Sequence, residues 1–213
     1  MATTDQALAQ QLQYALLEPP DGGQFWPSGL WDRDEVFNAL NQQQNSLLHE
    51  SLLLVGIANV AVLAGAHRIA LPTDLLQLVS VVWRGDDGVV RELVRADSFE
   101  ADHGLPSWEA TDATAPLVYM EEETPTGFVQ IGPAPTGTGI LELLYVPLGT
   151  SLIAGNGEIL VVPDECAHGV KYGALATLLG KDGRGQDPAR AAYGQQRADL
   201  VAEAATIIRK GWA

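Results

Sequence analysis

The amino-acid sequence predicts an α+β fold: a discontinuous helical bundle that carries an inserted antiparallel β-sheet or small barrel. Apolar residues recur at helical spacing near both ends of the chain, and between them the pattern changes to a period of two. The chain has 213 residues, 46% of them hydrophobic, which suffices for one domain or two small ones. We therefore expect a helical domain of residues 1–56 and 163–213, with residues 57–162 inserted as a β-rich domain.

Two helices are predicted before the β-rich region. The first covers residues 4–17, where Leu8, Leu12 and Leu16 recur at four-residue spacing and two prolines follow. The second begins near Asp32, because the next two acids fall in its first turn, where the helix dipole favours negative charge.

One face of the second helix carries side-chain amides instead of charges. Such a face is unusual for open solvent and suits a contact surface, although a merely solvated polar face is an equally good interpretation. The amide-bearing residues of this face are Asn38, Asn41, Gln42, Gln43 and Asn45.

The β-rich region contains short apolar runs separated by turn residues. Residues 60–63 and 67–71 predict a hairpin or two adjacent strands, and residues 72–76 predict one helical turn. The sequence Gly85-Asp86-Asp87-Gly88 lies between two apolar runs and predicts a β-hairpin. Further strands are predicted over residues 78–83, 89–94, 117–120, 128–131 and 140–146. A second helical turn is predicted over residues 97–105.

Helices are predicted again after Val162. Pro163 and the two acids that follow it are typical of a helix entrance. Gly169 and Gly173 lie on this helix, where each glycine costs about 1 kcal/mol relative to alanine. Because close approach of another backbone would offset that cost, we expect a tightly packed helix pair.

The last helix begins at Asp187-Pro188, which combines an N-cap acid with proline in the first turn. It is predicted to run to about Arg209 and to leave residues 210–213 as a tail. Its apolar face is predicted to be Tyr193, Leu200, Ala204 and Ile207, with Val201 and Ile208 beside it.

Charge is distributed unevenly along the chain, whose net charge is −15. Residues 1–162 contain 21 acidic and 5 basic residues, whereas residues 163–213 contain 6 acidic and 7 basic ones. The acids concentrate in residues 85–123, which hold 11 acids and 2 arginines. A surface this negative repels nucleic-acid phosphates, and the asymmetry suits a protein that faces a polyanion or a basic partner. Simple solubility is an equally good explanation.

The sequence carries no signature of a catalytic or metal site. The Walker, zinc-protease and nucleophile-elbow motifs each fail at required positions. Cys166 lies two residues from His168, a spacing that places the side chains on different helix faces and favours a buried structural thiol. The run Glu121-Glu122-Glu123 could attract a divalent cation, but it is better interpreted as a solvated strand end. We expect no catalytic residue, no metal and no cofactor.

No membrane segment is predicted. The longest nearly apolar stretch, residues 52–66, is shorter than the about 20 residues that span a bilayer. Residues 1–10 contain neither a basic residue nor an apolar run, which argues against a secretory signal. The sequence therefore predicts a soluble, intracellular protein.

The C-terminal tail carries Trp212 close to Arg209 and Lys210. An exposed tryptophan is a common interface anchor, and the alternative is that it folds back on its own helix. We expect an interface at this end of the chain.

Several turn and cap sequences follow one another in a particular order. They are Leu30-Trp31-Asp32-Arg33-Asp34-Glu35-Val36 opening a helix that contains Asn41, then residues 69–76 with 79–82, Pro106-Ser107-Trp108, Ala115-Pro116 before Tyr119, Ile131-Gly132-Pro133-Ala134-Pro135, Val162-Pro163-Asp164-Glu165 and Asp187-Pro188. In this order and spacing the chain resembles the head-to-tail adaptor proteins (neck or connector proteins) of tailed bacteriophages. The resemblance covers residues 30–208 and does not explain the first 29 residues.

The resemblance implies a structural virion protein that is not an enzyme. Members of this family form a ring of roughly a dozen copies below the portal, join the head to the tail and line the DNA exit channel. The implied partners are the portal protein, a tail or tail-completion (nozzle or gatekeeper) protein and further copies of the chain. DNA would pass through without specific binding, no membrane would be involved, and the protein would lie in the virion neck after assembly in the host cytoplasm.

Two surfaces acquire roles from the resemblance. The C-terminal segment would dock on the portal, and the amide-rich helix face would contact the neighbouring subunit. The expected portal contacts are Ile208, Arg209, Lys210, Gly211 and Trp212, and the expected subunit contacts are Asn38, Asn41, Gln42 and Asn45.

Two other classes of function remain open from the sequence. The first is a non-enzymatic binding module whose β domain recognises a tail protein or a carbohydrate, and solvent-exposed Trp83 and Trp108 would favour it. The second is a small enzyme with a dispersed site, which a deep pocket lined by acids and histidines would favour.

Overall fold

The computed structural model describes residues 3–17, 30–104, 108, 112–121, 127–153 and 157–211. The chain divides into two compact units. The helical unit comprises Met1–Leu54 and Leu148–Ala213, and the β unit comprises Val55–Pro147. The described residues contain both helices and antiparallel or mixed sheets, which confirms the predicted α+β class.

Local caps explain where several helices begin and end. Thr4 caps the first helix by accepting a hydrogen bond from the amide of Ala7 (3.3 Å), and Asp187 caps the last one by accepting from the amide of Arg190 (3.1 Å). Leu52 ends the second helix in the left-handed conformation, with φ of 49°. The helices are α1 (Asp5–Ala15), α2 (Arg33–Ser51), α3 (Ser98–Gly104), α4 (Ala167–Gly180) and α5 (Pro188–Gly211), of which α3 belongs to the β unit.

Glycines allow α4 and α5 to pack closely, as the sequence predicted. A Cβ atom on Gly169 of α4 would lie 2.7 Å from Cγ1 of Val201 on α5. A Cβ atom on Gly194 of α5 would lie 2.8 Å from the carbonyl oxygen of Tyr172 on α4. Gly173 faces the side chain of Gln43 on α2 instead, so the two α4 glycines admit two different helices.

The predicted apolar face of α5 is wrong. Tyr193, Leu200 and Ile207 are exposed, whereas Val201 and Ala205 are buried in the contact with α4. Two parallel apolar stripes, displaced by one residue, run along this helix. The periodicity of the sequence alone does not show which stripe is buried. The small residues of α4 favour the stripe of smaller side chains, which begins with Gly194 and includes Val201 and Ala205.

The β unit contains three open sheets among the described residues, so the sheet alternative holds and the barrel alternative does not. Their orders are β1-β10-β3-β4, β2-β8-β7-β5 and β6-β9. The strands are β1 (Gly56–Val62), β2 (Arg68–Ala70), β3 (Leu75–Gly85), β4 (Val90–Glu92), β5 (Val94–Arg95), β6 (Asp112–Ala113), β7 (Val118–Glu121), β8 (Phe128–Gly132), β9 (Ala134–Pro135) and β10 (Gly139–Pro147).

The hairpin predicted at residues 85–88 is confirmed. Gly85 donates its amide hydrogen to the carbonyl of Val89 (2.8 Å), and Gly88 has a φ of +85°, a conformation that glycine adopts without strain. Over residues 60–71, the predicted hairpin is wrong because β1 pairs with β10 and β2 pairs with β8. The two strands of the alternative prediction are present as β1 and β2, which follow one another in the chain but lie in different sheets.

The helical turn predicted over residues 72–76 is also wrong. The chain makes a single turn closed by a hydrogen bond from the Leu75 amide to the Pro72 carbonyl (3.2 Å), and β3 begins at Leu75. The second predicted helical turn is present as α3.

The core of the β unit is built around Trp83, which is fully buried on β3. A Cβ atom on Gly139 of the neighbouring strand β10 would lie 2.6 Å from the indole ring, so this position has no room for a side chain. Other members of the core are Val62, Ile69, Leu78, Val81, Leu93, Val129, Ile131, Leu141 and Leu143.

Candidate interaction surfaces

The last turn of α5 is an exposed surface that is both apolar and basic. Ile207 and Ile208 are exposed, Arg209 is half-buried and Lys210 is exposed. The helix continues to Gly211, so Lys210 and Gly211 extend α5 instead of forming the predicted tail. Basic side chains at a helix C-terminus also interact favourably with the helix dipole.

The predicted portal contacts therefore lie together at the end of one helix, as far as the structure describes them. Trp212, the fifth residue of that set, lies outside the described residues. Their proposed role in docking stays a prediction.

A groove of about 450 Å³ lies between α4 and α5, within the helical unit. Lys171 and His168 line the groove from α4, and Arg197 lines it from α5. Glu165 is the acidic residue in its lining. Its apolar lining includes Tyr172, Leu200, Ala204 and Ile208.

Aromatic and cationic side chains are interleaved at this groove. Tyr193 and Tyr172 make an edge-to-face pair with ring centroids 6.0 Å apart, and Arg197 donates from Nε to the hydroxyl of Tyr193 (3.0 Å). The ammonium group of Lys171 lies 4.8 Å from the ring centroid of Tyr172. These contacts hold two cations beside apolar surface in an acidic protein.

The amide-rich face of α2 binds the chain that returns from the β unit into the helical unit. Asn41 donates to the carbonyl of Leu152 (2.9 Å) and accepts from the amide of the same residue (2.8 Å). Asn45 accepts from the amide of Gly149 (2.9 Å). Gln43 of the same face donates to the hydroxyl of Thr177 (3.2 Å), so three of the five amides that the sequence singled out are used within the chain.

Gln44, which was not included among the amide-face residues, completes this arrangement. It is buried, donates to the carbonyl of Thr150 (3.0 Å) and accepts from the amide of Val161 (3.1 Å). Its spacing from Asn41 is one helical turn, which places the two amides on one side of α2. The sequence signal for this role was a glutamine at a position of α2 where the helical repeat otherwise places apolar residues.

These bonds explain why the structure divides the chain after Pro147, whereas the sequence pattern placed the boundary after Val162. Residues 148–153 and 157–162 form only an isolated bridge, between Ile159 and Thr4. The amides of α2 satisfy backbone groups that a sheet would otherwise satisfy.

The remaining expected subunit contacts, Asn38 and Gln42, are exposed on α2. Asn41 and Asn45 are half-buried; both polar ends of the Asn41 amide and the amide oxygen of Asn45 take part in the bonds to residues 149 and 152. The role of these four residues as a contact with a second copy stays a prediction.

The β unit is strongly acidic. Residues 55–147 contain 13 acidic and 4 basic residues. Two of the bases are paired: Arg84 lies 2.9 Å from Glu142, and Arg95 lies 3.0 Å from Glu121. Exposed pairs of this kind contribute little to stability. Because acidic residues outnumber basic ones by nine in residues 55–147, most carboxylates of the β unit have no compensating base.

The tryptophans do not support a carbohydrate site. Trp83 and Trp108 are both buried, as is Trp31, so none of these three indole rings forms an exposed platform. The observation that would have favoured carbohydrate recognition is therefore not found at these positions.

The described residues also bring no group of three histidine, cysteine, aspartate or glutamate side chains close enough to hold a metal ion. Cys166 is buried and His168 is exposed, and burial raises the pKa of the Cys166 thiol, which favours its protonated form. Glu122 and Glu123 lie outside the described residues.

Among the helices that the structure describes, none combines the length and the apolar character needed to cross a lipid bilayer.

Comparison with known proteins gives one family. The model of a family described as SU10 adaptor protein matches residues 5–211, nearly the whole chain and more than the resemblance in its turn sequences covered. No curated protein matches the sequence. The family supports a phage head-to-tail adaptor role, a structural one, and a place in the virion neck. The chain belongs to the SU10 adaptor protein family.

Proposed function

We propose that this chain forms a ring of roughly a dozen copies beneath the portal of the phage head, joins the head to the tail and lines the channel through which DNA leaves. The observation that carries the proposal is the division of charge between an acidic β unit and a helix, α5, that ends in exposed isoleucines and basic residues. The role is structural and not enzymatic, and it needs no cofactor.

The end of α5 is the proposed portal contact. Ile207 and Ile208 provide apolar surface, and Arg209 and Lys210 provide positive charge. Apolar anchors surrounded by polar groups are the usual composition of a strong contact. Trp212 would add a further anchor from the end of the chain.

The excess of carboxylates on the β unit suits a wall along which DNA moves. Phosphate groups are repelled by uncompensated negative charge, so DNA passes without being held. The β unit would also meet the tail or tail-completion protein. In the host cytoplasm the chain would await a filled head, and in the virion it would lie in the neck.

The proposal is tested by mixing the purified chain with portal rings of the same phage and imaging them by negative-stain electron microscopy. We expect an added ring stacked on each portal. Bare portals at high chain concentration would contradict the proposed function.

The portal contact is tested separately with a chain that lacks residues 210–213. We expect it to keep its circular-dichroism spectrum and to lose portal docking. The matched control is Arg91→Ala, which removes one exposed positive charge from the β unit and should dock normally. Undiminished docking of the shortened chain would exclude the end of α5 as the portal contact.

A further inference from the structure

Two surfaces of this chain combine exposed apolar side chains with charged ones, and of their residues Ile208 alone also belongs to the proposed portal contact. The first is the groove between α4 and α5. The second, here called the acidic run, consists of residues 90–100 of the β unit, which cover β4, β5 and the start of α3.

The acidic run exposes both apolar and acidic side chains. Val90, Val94 and Phe99 are exposed, and Phe99 has 68% of its surface accessible. Glu92, Asp97 and Glu100 are exposed as well, and none of them forms an ion pair among the described residues. The carboxylates of Asp97 and Glu100 each accept a hydrogen bond from the other residue's backbone amide (2.7 and 3.2 Å) and keep their negative charge at the surface. Arg91 and Arg95 also lie in this run, but Arg95 is paired with Glu121.

The groove offers the complementary surface. Leu200 is half-exposed at its edge, and Lys171 and Arg197 flank the apolar lining. Neither cation forms an ion pair within the described part of the chain: Lys171 donates to the amide oxygen of Gln11 (3.2 Å), and Arg197 donates to Tyr193. Both positive charges therefore remain available to carboxylates.

We propose that the acidic run of one copy docks in the α4–α5 groove of the next copy, with Phe99 as the apolar anchor. This inference rests on the proposed function, since it supplies the contact by which copies would be joined. The two surfaces are different patches of the same chain, so the contact is head-to-tail, and a head-to-tail contact that closes on itself builds a ring. A second copy is the occupant that the charges favour, because the acidic excess of this chain lies in the unit that contains the run.

The contact is tested by crosslinking two single-cysteine variants, His103→Cys and Ala204→Cys, mixed in equal amounts so that a crosslink can form only between copies. His103 lies one turn after Phe99 on α3 and Ala204 lines the groove, and both are exposed, so the anchor itself is kept. The native Cys166 is buried but lines the same groove, so it is replaced by alanine in every variant. The control mixture pairs His103→Cys with Gln195→Cys, an exposed position on a different side of α5. Because a docked contact raises the local concentration of the two thiols, a short bismaleimide should give about tenfold more crosslinked dimer than the control.

The mixtures are treated both on portal rings, with the rings counted in parallel by electron microscopy, and free in solution at high concentration. A stacked ring with the 103–204 crosslink supports the contact, and a stacked ring without it overturns the contact while leaving the proposed function in place. If no ring forms, a crosslink in solution supports the contact and removes the proposed function. Absence of both overturns the two together.

A second variant separates the apolar anchor from the folded state. Phe99→Asp should weaken association between copies by about 30-fold, the loss typical of an anchor residue, whereas Phe99→Leu should retain most of it. Since Phe99 is exposed, both variants should fold, which circular dichroism checks. Equal association of the two variants would contradict the role of Phe99.

Discussion

The helical unit and the β unit bury different kinds of side chain. Among the described residues, the four buried polar side chains all lie in the helical unit: Asp5, Gln13, Gln44 and Ser51. The core of the β unit is aliphatic and aromatic, with Trp83 as its largest fully buried member. One unit is therefore specified by polar contacts at particular positions, and the other by the volume of its core.

The buried polar groups of the helical unit are not equally satisfied. Gln44 uses both ends of its amide, and Ser51 donates to the Leu47 carbonyl (2.6 Å). Gln13 has no partner at either its nitrogen or its oxygen, and one carboxylate oxygen of Asp5 has none. Since an unmade buried hydrogen bond is costly, α1 is held less favourably than α2, although the two helices belong to the same unit.

The largest expected effect comes from emptying the core of the β unit. Trp83→Ala should lower the free energy of unfolding by about 3–5 kcal/mol, because it removes a fully buried indole and leaves a cavity in the core. Urea unfolding followed by circular dichroism measures this loss. The control is Trp83→Phe: it keeps most of the ring and removes an indole N–H that has no partner, so its cost should be well under half as large.

Next in size is the loss of the polar contact that fixes the returning chain. Gln44→Leu keeps the volume but leaves the carbonyl of Thr150 and the amide of Val161 without a partner, which should cost about 2–3 kcal/mol. Amide hydrogen exchange should become faster over residues 149–153 and 157–161. The matched control, Gln42→Ala, changes an exposed amide on the same helix and should leave both measurements unchanged.

Prediction from the sequence worked where a signal was local. The hairpin at Gly85-Asp86-Asp87-Gly88, the cap at Asp187 and the glycine-rich packing of α4 each depend on residues within a few positions of one another. The class of fold followed from these elements, because two periodicities in one chain require two kinds of layer.

Prediction failed where the outcome depended on a distant partner. The pairing of β1 with β10 joins residues more than 70 positions apart, and nothing between residues 57 and 71 indicates it. The same holds for α5, where α4 decides which of two adjacent stripes is buried. The amides of α2 were recognised as unusual, but their actual bonds to residues 149–152 involve a segment that the sequence pattern had assigned to the β-rich domain.

A smaller effect, of opposite sign, is expected at Gln13. Replacing this buried and unpartnered amide by an apolar side chain of similar volume, Gln13→Met, should raise the free energy of unfolding by about 1 kcal/mol. The control, Gln10→Met, places the same side chain at an exposed position of α1 and should have no effect. A destabilised Gln13→Met variant would show that the amide has a partner in solution and would remove the contrast between α1 and α2.

The smallest effect concerns the attachment of the chain before α1, and it depends on pH. Hydrogen bonds from Thr3, including one from its amide (2.7 Å), lower the pKa of the Asp164 carboxyl below its ordinary value. A carboxyl with a lowered pKa in the folded state stabilises the fold above its unfolded pKa, and this contribution is lost as the pH falls through the folded value. The protection of residues 3–5 against hydrogen exchange, measured relative to the intrinsic rate at each pH, should therefore fall below about pH 4, where unperturbed carboxyl groups take up protons. Asp164→Asn should show the lower protection already at neutral pH and no further loss in acid, whereas Glu165→Gln, which changes the exposed neighbouring acid, should behave as the unmodified chain. If Asp164→Asn exchanged at the unmodified rate, this end of α1 would be held by its backbone bonds to residues 158–160 alone, and the helical unit would depend on one fewer polar contact than the structure indicates.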